Sequence, residues 1–245
     1  MIFVGCQTRP KLSYGVQEGF ESLAPGSVIA VPPLVYPQKR SDSIDPALLA
    51  VHPITVQVEK QVVMAFQGQP HIKGYAFADV EKVLKKTSPH LLDRMQKTYE
   101  AVMDRLASSR IQDRLLLSPE CLSRNNFLEF YSYCLAPEPQ WIQELNELSV
   151  QVRNADAALL VFVPSVNSSY KNKSYGIEMS LAVLLVDTNN GKLMWGNEAH
   201  PTRTNPPQTR QYPAWEELAL FSPEFWKGFP GFYVKGEVHE QSKQY

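Results

Sequence analysis

Apolar positions along the chain change period several times, and each change marks an element. SVIAV, Ser27 to Val31, is a β-branched run halted by Pro32-Pro33, the mark of a strand leaving its sheet. Asp45-Pro46 places proline where a helix can begin. In ITVQVEKQVVMAFQGQ, Val58, Val62, Ala65 and Phe66 keep helical spacing, while Ile54, Val56 and Val58 alternate like a strand. A helix from about Thr55 is the preferred reading, ended by Gly68 and Pro70, with HIKGYAF following as a strand. Ser88-Pro89 opens a helix in which Leu92, Met95, Tyr99, Val102 and Leu106 recur at alternating steps of three and four, a core-facing stripe. A second helix carries Trp141, Leu145, Leu148 and Val152 on one side, with Gln143, Glu144, Glu147 and Arg153 turned elsewhere. It feeds Ala157 to Pro164, AALLVFVP, an unbroken apolar run that predicts a strand covered on both faces. IEMSLAVLLVD and KLMWGNE, separated by TNNG, predict a hairpin. Asn190-Gly191 supplies positive φ angles, and Met179, Leu181, Val183 and Leu185 would share one face, packing on helices.

The last fifty residues have a different texture. A proline-rich loop, HPTRTNPPQTRQYP, precedes AWEELALFSPEFWKGFPGFYV, which gathers Trp215, Phe221, Phe225, Trp226, Phe229, Phe232 and Tyr233. Such density either closes the core, the favoured reading, or forms a docking surface in which Trp215, Phe225, Trp226 and Phe229 touch a partner.

The amino terminus changes the picture most. Phe3-Val4-Gly5-Cys6 reads like a lipobox, in which a small residue precedes the cysteine that becomes the lipidated first residue of a mature lipoprotein. A full signal has a basic start and an apolar region of roughly 7–15 residues. Residues 1–5 therefore read as the remnant of a signal, and 6–26 as a polar tether after lipidated Cys6. Residues 27–235 then form a single α/β domain with the aromatic segment at its end, and 236–245 a flexible tail. Gln7, where an aspartate would argue for inner-membrane retention, leans toward the outer membrane.

Composition narrows the classes. With 44% hydrophobic and 20% charged residues, the chain can build a core and is not a disordered type. A net charge of -1 without a basic block gives phosphate neutralisation little to work with, so no nucleic-acid partner is expected. No apolar run reaches the roughly 18 residues of a membrane span, so attachment would come from lipid. Of the three cysteines, Cys6 is assigned to the anchor, leaving Cys121 and Cys134. In an oxidising compartment these two would close a short loop by a disulfide; in a cytosolic protein they would be buried thiols.

Three stretches carry a family resemblance: SVIAVPPL, VRNADAALLVFV and LAVLLVDTNNGKLMWGNE. In this order they resemble the first strand, the helix-end "ADA" with its central strand, and the closing hairpin of the periplasmic α/β domain shared by the curli-secretion lipoprotein CsgG, the amino-terminal domain of TolB and related small Gram-negative envelope lipoproteins. The likeness covers about half the chain, chiefly Ser27 to Ala30 and Val152 to Glu198. It implies an α/β (α+β) fold, a mixed sheet of about five strands covered by helices, with a closing hairpin at 177–198 and a helical insertion at about 87–137. The alternating membrane-spanning hairpins of the curli channel are missing, so the resemblance implies an envelope assembly component and carries over no catalytic residue.

The residues themselves offer little chemistry. GxSxG, HExxH and GxxxxGK[ST] are absent, and no CxxC suggests zinc or redox work. His52, His71, His90, His200 and His239 are scattered, and Asp42, Asp45 and Glu59 read as a solvated loop and helix face. SSYKNKSYG, Ser168 to Gly176, reads as a strand-linking loop with a small positive patch; its functional alternative is contact with an acidic partner or wall polymer. No catalytic residue, cofactor or metal is therefore expected. The expected role is a lipid-anchored scaffold or assembly subunit at the periplasmic face of the outer membrane. Its partners would be envelope proteins of a multi-subunit complex (secretion, flagellar or pilus, or wall-related), as a homo- or hetero-oligomer. The rival is a periplasmic enzyme or polymer-binding domain whose loop-built site gathers His200, Asn197 or Glu198 with a second titratable group.

Overall fold

The computed structural model describes residues 26–36, 56, 58–60, 73–108, 127–171, 173–205, 223–226 and 229. Its strands are β1 (Ser27–Ala30), β2 (Leu34–Val35), β3 (Lys73–Tyr75), β4 (Ala157–Lys171), β5 (Ser174–Asp187), β6 (Leu193–Ala199) and β7 (Thr202–Thr204). They form one open, mixed, seven-stranded sheet in the order β3-β1-β4-β5-β6, with β2 beside β4 and β7 beside β5. Pairings among β1 to β4 are parallel, and those of β5 with β4, β6 and β7 are antiparallel. Pro32-Pro33 interrupts the first strand without ending its course, because β2 rejoins the same side of β4 further along.

The helices are α1 (Phe77–Thr87), α2 (Leu91–Ser108), α3 (Phe127–Phe130), which runs on as a π-turn over Tyr131–Leu135, and α4 (Pro139–Gln151). They cover one face of the sheet. Ile29, Leu160, Phe162 and Leu184 meet Val80, Met95, Leu128 and Trp141 there. The opposite face, with Leu159, Val161, Val183 and Leu185, is closed by Val58 and by Phe225, Trp226 and Phe229. Cover on both faces explains the unbroken apolar run of β4, since each such side chain gains about 1.5–3 kcal/mol by burial whichever way it points. The span expected as an insertion is part of this core, with Met95, Tyr99, Leu128 and Tyr131 all buried on the sheet.

Several boundaries differ from expectation. Residues 56 and 58–60 are helical, in line with the helix read from Thr55, but the strand in HIKGYAF is only Lys73–Tyr75. The chain turns at Ala76 into α1, a helix the pattern did not announce. Its Phe77, Val80 and Leu84 are buried at helical spacing, and the polar residues around them hid the stripe. Ser88 does not cap α2. Its backbone N–H closes the end of α1 on Leu84 O, and its hydroxyl donates to Glu147. In the β5–β6 turn only Gly191 is left-handed, at φ 69; Asn190 instead fastens the loop by donating to Asp187 Oδ2 and accepting from Lys192 N. The helix start read at Asp45-Pro46, the tether and the tail lie outside the described residues.

Pro164 has a structural cause for its place in β4. The β4–β5 register slips by one residue between Phe162 and Ser165. A bulge tolerates proline's missing N–H and flips the facing of everything beyond it. Val166 thereby stays on the same side as Val163, with Ile177 and Met179.

Between α2 and α4 lies a polar seam that the helical wheel did not place. Glu144 is 1% exposed; its Oε1 accepts from Thr98 Oγ1 at 3.1 Å and Gln140 Nε2 at 2.9 Å, while Oε2 has no partner among the described residues. Burial raises its carboxyl pKa against these hydrogen bonds and the nearby Arg94 charge. A raised folded-state pKa gives a contribution that is full below the unfolded carboxylate range, about 4.3, and is lost as pH rises through the folded value. Glu144→Gln should therefore flatten the gain in stability on going from neutral toward mildly acid pH, read by urea midpoints across a pH series. A residual slope stays from Glu198, whose pKa burial also raises.

Tyr99 stands at the centre of an aromatic group on the same face. Its ring meets Phe162 at 5.0 Å and Phe127 at 6.3 Å, both edge-on, and its buried hydroxyl has no partner among the described residues. An unsatisfied buried hydroxyl costs about 1–3 kcal/mol. Tyr99→Phe is expected to stabilise the fold by about 1 kcal/mol in urea denaturation.

Candidate functional site

The sheet has two ends of different character. One is where β1, β3 and β4 begin and β5 finishes, since Ser27 pairs with Lys73, Val28 with Ala157, and Ala157 with Asp187. Asp156 ties this end together. Its Oδ2 accepts from Ser27 N at 2.9 Å and from Ser27 Oγ at 3.1 Å. Thr188 Oγ1 donates to Ala155 O at 2.7 Å, and Ser149 Oγ to the same carbonyl at 2.8 Å. The "ADA" stretch thus works as a clamp joining the first strand, α4 and the β5–β6 turn. Residue 26, the first described residue, enters here.

At the other end β4 and β5 run on as a two-stranded arm from the bulge to Lys171 and Ser174. SSYKNKSYG is thus the end of a long hairpin, with Lys173 left-handed at φ 63 in its turn. Among the described residues only β7 flanks β5 there, over Gly176 to Glu178. Along β4, pairing with β2 stops at Val163, and none further out is seen among the described residues.

A small polar group sits where the arm leaves the body. Ser165 Oγ donates to Ser180 Oγ at 3.0 Å, and Ser180 Oγ lies 3.3 Å from His200 Nδ1. His200 Nε2 is 3.9 Å from Glu198 Oε2, beyond hydrogen-bond range. Glu198 is committed elsewhere, because its Oε1 accepts from Leu128 N at 3.2 Å, at the amino end of α3. A carboxylate suits that helix end, where unpaired N–H groups gather. Asn197, another residue named for the rival enzyme reading, points to the other face. It is fully buried and donates Nδ2 to Phe225 O at 2.6 Å. Among the described residues no group of three His, Cys, Asp or Glu side chains is placed to hold a metal ion, and no helix is long and apolar enough to cross a membrane.

The predicted site residues separate. Phe225, Trp226 and Phe229 are each 2% exposed, packed around Trp195, so these three are core rather than the docking contacts weighed above. The cause is β6, whose Trp195 needs cover on the face away from the helices. Trp215 lies outside the described residues. Cys134, buried in the π-turn, is disulfide-bonded, while Cys6 and Cys121 lie outside the described residues. Tyr131, in the same turn, donates to Gly191 O at 2.9 Å and accepts from Trp141 Nε1 at 3.3 Å, and burial raises its pKa. Sequence reading missed this link. Its signal was the wide π-turn, where Ala136 N reaches back to Tyr131 O at 2.7 Å.

No protein-family model matches the sequence, and no curated protein matches it. In structure the chain is similar to the lipoprotein GNA1162 from Neisseria meningitidis, at 15% identity over 76% of this chain and 90% of that one, with a TM-score of 0.39. It is also similar to a PelC dodecamer from Paraburkholderia phytofirmans, at 11% identity over 75% and 74% with a TM-score of 0.30. The hypothetical protein CT253 from Chlamydia trachomatis gives 11% identity over 73% of each chain and a TM-score of 0.30. Likenesses this loose bear on nothing beyond themselves; the functional reading rests on the chain's own residues.

Proposed function

We propose that the chain is a lipid-anchored scaffold or assembly subunit of a Gram-negative envelope complex, held at the periplasmic face of the outer membrane by acyl chains on Cys6. It works by touching other proteins, not by catalysis. The observation that carries this reading is the use of cysteine. Cys134 is disulfide-bonded in a chain of three cysteines, which leaves one over. Disulfides persist in oxidising compartments such as the periplasm, and an odd cysteine there is either reactive or modified. Cys6 has the lipobox context in Phe3-Val4-Gly5-Cys6, and Cys121 is the neighbour of Cys134 in sequence. One acyl chain holds a membrane only marginally, so the several chains of a lipoprotein matter physically.

The resemblance to the CsgG and TolB amino-terminal domain belongs to the same reading. Its three stretches fall on neighbouring strands: β1 with β2, β4, and the β5–β6 hairpin. The arm and the edges of the sheet are the surfaces offered to partner proteins.

The test is the intact mass of the mature protein after expression in a Gram-negative host behind a complete lipoprotein signal. A species that begins at Cys6 and is heavier by acyl groups is expected, lost in Cys6→Ser. A native chain that stays unacylated and freely diffusing overturns the reading.

A further inference from the structure

The end of the sheet where residue 26 enters carries a group of exposed cations. Lys73 opens β3 beside Ser27 and donates its backbone N–H to Gly26 O at 3.0 Å. Arg153 follows α4 in a left-handed conformation, φ 58. It lies over the same Tyr75 ring as Lys73, with the two cations 5.9 and 5.6 Å from its centroid. Helix α1 returns to this end. Ser88, just past its last turn, bonds to Glu147 near the end of α4, which then leads to the start of β4. Lys82, Lys85 and Lys86 on α1 are all exposed, at the three- and four-residue spacing that makes one stripe.

Two carboxylates share this end and keep their charge, since their donors are neutral: Asp156 accepts from Ser27, and Asp187 from Asn189 N and Asn190 Nδ2 of the turn. The five cations outnumber them. Glu81 lies 3.4 Å from Lys85 in an exposed pair, which screens little of the stripe. Because the whole chain carries a net charge of only -1, this concentration of positive charge is a local sorting.

We infer that Lys73, Lys82, Lys85, Lys86 and Arg153 form a docking face for the phosphate-bearing headgroups of a negatively charged leaflet. The face seats the domain end-on beside its own anchor. This deepens the lipid-anchor reading and rests on it for orientation: the chain from Cys6 enters the domain at residue 26, so acyl groups there hold this end nearest the bilayer. Each Lys or Arg close to an anionic surface strengthens binding about fivefold. The attraction falls off within about 10 Å at 0.1 M salt, so it acts only once the tether has brought the face down.

The test uses the full chain carrying Cys6→Ser, so that no acyl group contributes. It is sedimented with vesicles of phosphatidylcholine mixed with phosphatidylglycerol, and with vesicles of phosphatidylcholine alone. Binding to the mixed vesicles and not to the neutral ones is expected, weakened by raised salt. Lys73→Gln/Lys86→Gln/Arg153→Gln should weaken it about a hundredfold, with an unchanged thermal melt as evidence of folding. Lys173→Gln/Arg203→Gln, on the arm at the opposite end, should leave it unchanged. Equal sedimentation with both lipids, undiminished binding by the triple variant, or equal loss from the two sets overturns the inference. Displacement by inorganic phosphate beyond that of chloride at matched ionic strength also overturns it, since that marks a site for free phosphate. None of these failures touches the acylation test, whose readout is mass.

Discussion

Trp226→Ala lowers the stability of the fold by about 3–5 kcal/mol, the range for emptying a large aromatic site in a core. Trp226 stacks on Trp195 with ring centroids 5.8 Å apart and planes 6° from parallel. Phe225 and Phe229 stand edge-on to both indoles. Truncating Trp226 removes the one stacked neighbour of Trp195 in this group, and Asn197, holding Phe225 O, keeps the segment from collapsing into the space. The measurement is urea denaturation, paired with co-purification from envelope extracts. A large loss of stability is the expected result. Unchanged melting with loss of a partner would return this segment to the surface.

The second large effect concerns the disulfide. With Cys121 as the partner of Cys134, Cys121→Ala, Cys134→Ala and the double variant should each lose the same amount, about 3 kcal/mol for a loop near fifteen residues. Equality is the point, because two ends of one bond cannot add. Cys6→Ser should leave the unfolding free energy unchanged. If Cys6→Ser matches Cys134→Ala instead, Cys6 is the partner and the lipid anchor falls. A solvent-exposed thiol count on the unreduced, denatured protein checks the pairing independently.

Most of the sheet was legible in the sequence because its signals are local. Ala157 to Val163 had to be covered on both faces, and the two runs around TNNG had to pair. Met179, Leu181, Val183 and Leu185 do share one face, but it lies away from the four helices α1 to α4 on which it was expected to pack, and is closed by Val58, Phe225, Trp226 and Phe229, because both faces of the sheet are covered. The failures are of two physical kinds. Helix α1 was hidden because only Phe77, Val80 and Leu84 of its residues are buried, too thin a stripe to stand out from lysines and acids. Glu144 sat wrongly on the outer side because a helical wheel knows nothing of the second helix. Only the packing of α2 against α4 buries it, beside Thr98 and Arg94. The candidate contacts were harder still, since an aromatic run reads the same whether it covers a core or awaits a partner. Trp195 decided it, and its position depends on a register slip at the end of β5 that no local pattern encodes.

The β4–β5 arm has a mechanical consequence. Beyond the slip at Pro164 the ribbon reaches roughly 20 Å, at about 3.3 Å per residue. Its inner half is the central strand of the sheet, lying parallel to β1. A pull between the ribbon's tip and residue 26 therefore loads the β1–β4 hydrogen bonds in shear, all together, rather than unzipping them singly. The domain is built to bear tension along that line, while a sideways load meets only the ribbon and the short β7 beside it.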